Sequence, residues 1–160
     1  MSVAQSRLTG QVVLVGYGRV GRRIAAALEA QGIDYVVAEQ NRQLVEDLRA
    51  RGVSAVFGDA AEPAVLIQAH IARAGMLIVA TPDTFKVRQV IEIARQLNPP
   101  VEIVVRTHSE EEADLLRQEH VGQVFMGEHE LAQGMIRHVL ERMSAQACKT
   151  SASDLGNTRI

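Results

Sequence analysis

The chain has 160 residues, enough to bury a hydrophobic core without disulfides or metal and short enough to read as one domain. Lys and Arg number 17 against 19 Asp and Glu, a net charge of -2 that argues against nucleic acid or anionic lipid as a partner. Cys148 is the only cysteine, which excludes an intrachain disulfide and suits a reducing compartment. No apolar run approaches the roughly 20 residues that cross a bilayer, and Met1 to Gly10 lacks the apolar centre of a signal peptide. The piece is expected to be soluble as it stands, whether or not it belongs to something larger.

Taken in chain order, the elements alternate. Val12 to Val15 is a continuous apolar run, as in a strand covered on both faces. Gly16-Tyr17-Gly18-Arg19-Val20-Gly21 follows at once and opens a helix over 19–31, which Gly32 ends as a C-cap glycine. A strand from Tyr35 to Ala38 runs into Glu39, and a helix over 41–51 leads to a strand from Val53 to Phe57 followed by Gly58-Asp59-Ala60. Pro63 and Pro82 mark the starts of helices over 62–71 and 83–97, with the strand Met76 to Ala80 and Thr81 between them. Asn98-Pro99-Pro100 closes the fourth helix. A strand from Val101 to Val105 precedes Arg106-Thr107, and a helix over 109–119 opens with Glu110-Glu111-Glu112, acids suited to a helix N-terminus. After a last strand, Gln123 to Met126, a helix over 128–146 carries Leu131, Met135, Ile136, Val139, Leu140 and Met143 at three- and four-residue spacing. That stripe reads first as cover for the last strand of its own domain, with packing on a second copy as the alternative. From residue 147 the chain is polar and aperiodic and reads as a mobile tail.

This order predicts an α/β fold of the doubly wound Rossmann type, with a mainly parallel six-stranded sheet and helices on both faces. The domain spans 11–146, and 1–10 and 147–160 are flexible termini. The glycine motif acquires meaning from its context. Strand, glycine turn, helix and second strand lead to an acid about 20 residues on, as a dinucleotide fingerprint requires. Gly16 permits the tight turn, Gly18 lets a phosphate approach the backbone, and Gly21 lets the helix lie close to the sheet. Amides at the helix N-terminus hold phosphate oxygens. Glu39 accepts from ribose hydroxyls and repels a 2′-phosphate, which favours NAD or an adenosine nucleotide over NADP, and Arg42 lies near enough to soften that exclusion. Asp59 and Ala60 could flank the adenine; for Asp59 and Thr81, turn formation and capping compete with ligand contact. Arg106 could reach a phosphate or an interface carboxylate.

With these residues in place, the chain resembles the RCK N-terminal, or TrkA-N, domain, most of all the C-terminal cytosolic domains of Kef-type monovalent cation:proton antiporters. The resemblance runs from Gln11 to about Met143 and is carried by Val15-Gly-Tyr-Gly-Arg-Val-Gly21, the Glu39 strand end, Gly58-Asp59-Ala60, Ala80-Thr81-Pro82-Asp83, Val105-Arg106-Thr107-His108 and Met126-Gly-Glu-His-Glu-Leu-Ala132. It implies a regulatory domain that binds NAD(H) or AMP, forms a homodimer through the C-terminal helix region and works with a membrane-embedded antiporter domain moving K+. Its place would be the cytoplasmic face of the inner membrane. Arg19 matches a family arginine next to the phosphates. Some Kef members answer to glutathione, but no residue is carried over for that. The expected cofactor-binding set is Gly16, Tyr17, Gly18, Arg19, Val20, Gly21, Glu39, Gln40, Asp59, Ala60, Thr81 and Arg106.

No catalytic or metal-binding residue is expected. A hydride-transfer enzyme needs a second substrate site and a positioned acid or base, and the nucleotide fold takes up almost the whole length. Glu128-His129-Glu130 is the one cluster with metal-ligand types, but neighbours on a helix point apart, so a solvated stretch is expected. Cys148 has no base nearby in sequence. A small NAD-dependent oxidoreductase, or the cofactor half of one, is the alternative. A DNA-binding repressor ranks below both, since no helix-turn-helix segment flanks the fold.

Overall fold

The structure is a computed structural model describing residues 10–81 and 83–154. Six strands alternate with helices: β1 (Val12–Val15), α1 (Arg19–Ala30), β2 (Tyr35–Glu39), α2 (Arg42–Ala50), β3 (Ala55–Phe57), α3 (Pro63–Gln68), β4 (Met76–Val79), α4 (Thr84–Leu97), β5 (Glu102–Thr107), α5 (Glu110–Gln118), β6 (Gln123–Met126) and α6 (Gly127–Asp154). The sheet order is β3-β2-β1-β4-β5-β6 and all five pairings are parallel. This is the doubly wound Rossmann arrangement, with its topological switch between β1 and β4. The chain divides into two compact units, the sheet and its helices up to Met126 and the segment from Gly127 onward.

Alternation along the strands divides the core into two layers. Val13, Val15, Leu77, Val79, Ile103 and Val105 pack with α3, α4 and α5 on one face. Val12, Leu14, Val37 and Ile78 pack with α1 and α2 on the other. Leu14, Leu48, Leu66, Leu77 and Ile103 are fully buried, each stabilising the fold by about 1.5–3 kcal/mol relative to exposure. Two-sided burial explains the unbroken apolar runs of β1 and β4.

The turn chemistry explains most boundaries. Gly32 sits at φ +67 after α1, with its N–H on Glu29 O at 3.1 Å and that of Ile33 on Leu28 O at 2.9 Å, a Schellman end. The same pattern after α2 draws Val53 back onto Leu48 O, so β3 starts at Ala55, two residues later than the apolar run predicts. α3 is shorter than the expected 62–71: His70 turns left-handed at φ 60, and a 3-10 turn, Ile71–Arg73, follows. β5 runs on to Thr107, so Arg106 and Thr107 belong to the strand and do not follow it. Pro82 lies outside the described residues.

α6 also departs from expectation. It continues through Asp154, eight residues past the predicted end at 146, so 147–154 are helical; residues 1–9 and 155–160 lie outside the described residues. Leu131, Met135, Ile136, Val139, Leu140 and Met143 are each more than half exposed. Among the described residues, no helix is long and apolar enough to cross a membrane.

One buried polar side chain ties the fold together below the sheet. Asn98, the C-cap of α4, donates from Nδ2 to Ile71 O at 2.8 Å and to Ala74 O at 2.9 Å, fixing the turn that feeds β4. Asn98→Ala removes the Nδ2 donor from both carbonyls; Ile71 O keeps Ala74 N–H at 3.1 Å, while Ala74 O loses the donor described for it, at a cost of about 1–3 kcal/mol. A destabilisation of about 1–3 kcal/mol is expected in urea unfolding, with the slope of the transition unchanged.

Candidate functional site

The carboxyl ends of β1, β2, β3 and β4 surround a cleft of about 270 Å³. Val15, Gly16, Ala38, Glu39, Gln40, Gly58, Asp59, Ala60, Thr81, Asp83, Lys86 and Val90 line it. In open α/β sheets this is where ligands bind, outside the strand ends at the switch point.

The glycine turn shapes the floor. Gly16 sits at φ +93 against Thr81, whose N would lie 3.1 Å from any added Cβ. The approach at Gly21 is closer still: a Cβ there would fall 2.1 Å from Gly16 O. Gly18 differs, because a Cβ added to it would meet nothing within 4 Å. Its missing side chain is therefore not demanded by packing among the described residues. It leaves the first turn of α1 open to an incoming group.

That turn also lacks a cap of its own. Gly18 is the N-cap of α1 and offers no side chain, and no acid stands in the first turn. By contrast, Asn41 caps α2, Asp83 caps α4 and Ser109 caps α5, each accepting from a backbone N–H of its helix. Uncapped amides and the positive end of the helix dipole suit an anion such as a phosphate.

Glu39 stands at the end of the neighbouring strand and reaches both ways. Its Oε2 accepts from Tyr17 N–H at 2.7 Å and its Oε1 from Asn41 N–H at 3.0 Å. The carboxylate thus fixes the glycine loop relative to β2 and keeps lone pairs for further donors such as ribose hydroxyls. Arg42 does not pair with it in the described contacts; its guanidinium lies over the Phe57 ring, 4.6 Å from the centroid.

Around the β3 end, Asp59 accepts from Ala61 N–H at 2.9 Å and from Lys86 Nζ at 2.6 Å. Burial pushes the Asp59 carboxyl up, but the ammonium and the amide together outweigh it and hold the pKa below the usual carboxylate value. The same hydrogen bond raises the pKa of Lys86.

The structure therefore brings Gly16, Glu39, Gln40, Asp59, Ala60 and Thr81 around one cleft, with Gly18, Arg19 and Gly21 at the head of α1 beside it. Three expected residues sit differently. The Tyr17 side chain is buried in the α1–α2 layer under the Arg22 guanidinium, so only its backbone faces Glu39. Val20 packs against the same layer. Arg106 projects from within β5 and donates weakly to Ala80 O at 3.4 Å, outside the cleft lining. Sequence reasoning missed Lys86, which only the fold carries to Asp59 from 27 residues away. Among the described residues no three His, Cys, Asp or Glu side chains are grouped to hold a metal ion.

The TrkA-N domain pattern matches residues 12–127, most of the chain. The chain belongs to the TrkA-N domain family. It is 38% identical over 129 residues to the putative cation/proton antiporter YbaL of Escherichia coli K12, covering 81% of this chain and 23% of YbaL. The crystal structure of the TrkA-N domain of the Escherichia coli inner membrane protein YbaL superposes with a TM-score of 0.77 at 38% identity, over 81% of this chain and 96% of that one. The glutathione-regulated potassium-efflux system protein KefC of Cronobacter sakazakii is 31% identical over 127 residues, 79% of this chain and 20% of KefC. The chain thus spans about a fifth of the length of these curated relatives. The Shewanella denitrificans Kef C-terminal domain, solved in an AMP-bound form, shares the fold with a TM-score of 0.73 at 22% identity, over 91% of this chain and 89% of that one.

Proposed function

We propose that this TrkA-N domain is a regulatory module that binds an adenine nucleotide, NAD(H) or AMP, in the cleft at the ends of β1 to β4. The phosphate lies on the uncapped first turn of α1, with Gly18 and Arg19 against it, and the ribose hydroxyls donate to Glu39. Gln40, Asp59, Ala60 and Thr81 complete the lining, Tyr17, Val20 and Gly21 contribute backbone, and Arg106 stands by the neighbouring strand end. The observation that carries this reading is the junction of β1 and α1, where a helix without a side-chain cap meets a glycine whose missing Cβ nothing among the described residues requires.

In this reading the nucleotide controls a monovalent cation (K+):proton antiporter from the cytoplasmic face of its membrane, as part of one chain with the transport domain or bound to it. The likeness to YbaL and KefC supports this. Control requires the nucleotide to bind one conformational state more tightly than another. The domain is not an enzyme in this account. Of the titratable groups described in the cleft, Asp59 pairs with Lys86, Glu39 is held by two amides and Asp83 caps α4, an arrangement that suits binding better than proton transfer beside a nicotinamide. Calorimetry with NAD, NADH, AMP and ATP tests the reading: at least one is expected to bind, and silence from all four would overturn it.

The module also pairs with a second copy through α6, whose exposed stripe from Leu131 to Met143 is the support. Light scattering of the chain is expected to give the dimer mass, and Met135→Asp with Val139→Asp the monomer mass. A monomer at high concentration in the unaltered chain would remove this part of the account.

A further inference from the structure

The ends of three consecutive strands divide the cleft into stations. Gly16 follows β1 and leads to the first turn of α1, where the phosphate is proposed, Glu39 ends β2, where the ribose is proposed, and Asp59 follows β3. If the nucleotide lies as proposed above, its base extends to the third station. Asp59 is held there at both oxygens, Oδ1 by Ala61 N–H and Oδ2 by Lys86 Nζ. Two of its roughly four acceptor sites are taken and the rest remain for a donor in the cleft.

We propose that Lys86 is a positioning residue that sets base specificity: by fixing the Asp59 carboxylate at the β3 end, it makes that station a rigid acceptor for the 6-amino group of adenine and a poor neighbour for the 6-oxo group of hypoxanthine. A carboxylate that only accepts is repelled by a carbonyl oxygen and bonded by an amino hydrogen. Ionisation of Asp59 is required, and its lowered pKa agrees with that requirement. The Lys86–Asp59 pair is a quarter to a third exposed, so its weight lies in geometry and little in stability. This inference rests on the nucleotide reading, and the test separates the two.

The affinities of AMP and inosine monophosphate are measured by calorimetry for the chain, for Lys86→Met and for Lys86→Arg. AMP is expected to bind the unaltered chain about tenfold more tightly than inosine monophosphate, the size of one hydrogen bond to a charged acceptor. In Lys86→Met the ratio is expected to fall toward one, through weaker AMP binding with inosine monophosphate little changed. Lys86→Arg, which can still pair with Asp59, is expected to restore most of the preference. Equal binding of the two nucleotides by the unaltered chain, or a full preference in Lys86→Met, would overturn the role of Lys86 while leaving nucleotide binding intact. If neither nucleotide binds, both readings fall together.

Discussion

Gly21→Ala is expected to lose about 3 kcal/mol of stability and at least about a hundredfold in affinity for AMP or NAD. The added methyl would sit 2.1 Å from Gly16 O, and backbone cannot yield as a flexible side chain does. Helix α1 must lift from the loop, and its first-turn amides move with it. Gly18→Ala provides the contrast. Its Cβ meets nothing among the described residues, so stability is expected to stay within about 1 kcal/mol of the unaltered chain while affinity falls, since the methyl would enter the space proposed for the phosphate. Urea unfolding and calorimetry on the two variants separate packing from binding. Equal binding by Gly18→Ala and the unaltered chain would mean that the phosphate lies elsewhere.

The second large effect concerns Glu39. Glu39→Ala removes the acceptor proposed for two ribose hydroxyls and also releases Tyr17 N–H, the amide that anchors the loop. Two hydrogen bonds to a charged acceptor, at about 1.5 kcal/mol each, correspond to a loss of roughly a hundredfold in affinity. Glu39→Ser should in addition narrow the preference for NAD over NADP, because the charge that repels a 2′-phosphate is gone. Arg42 then becomes available to the phosphate if it leaves the face of Phe57. Calorimetry with NAD and NADP on the unaltered chain and both variants checks this. A preference that survives Glu39→Ser intact would place the ribose away from β2.

Much of the architecture was legible because its signals are local. β1 and β4 are buried on both faces and read as unbroken apolar runs, and the Gly32 helix end announces itself by residue type. The spacing from the glycine turn to Glu39 pointed to their proximity, and Gly16 and Glu39 line one cleft. What escaped the sequence depends on contacts far along the chain or on backbone continuation. Arg106 and Thr107 look like loop residues, yet they pair with Phe125 and Met126 and lengthen β5. Lys86 is an ordinary lysine in a helical pattern until α4 places it on Asp59. Tyr17 occupies a motif position whose backbone serves the loop while its ring serves the core. The helix past residue 146 has no apolar period to predict it; extending an existing helix is far easier than starting one, and α6 propagates through weak helix formers as far as Asp154.

The claim on which the account stands is that the β1–α1 junction receives the phosphate of an adenine nucleotide. Titration of the isotopically labelled chain with AMP, followed by amide chemical shifts, tests it most directly. The predicted result is a saturable shift at the amides of Gly18, Arg19, Val20, Gly21 and Thr81, with smaller changes at Gln40 and Ala60. Saturable shifts gathered on another face of the molecule, with the amides from Gly18 to Gly21 unmoved, would contradict it.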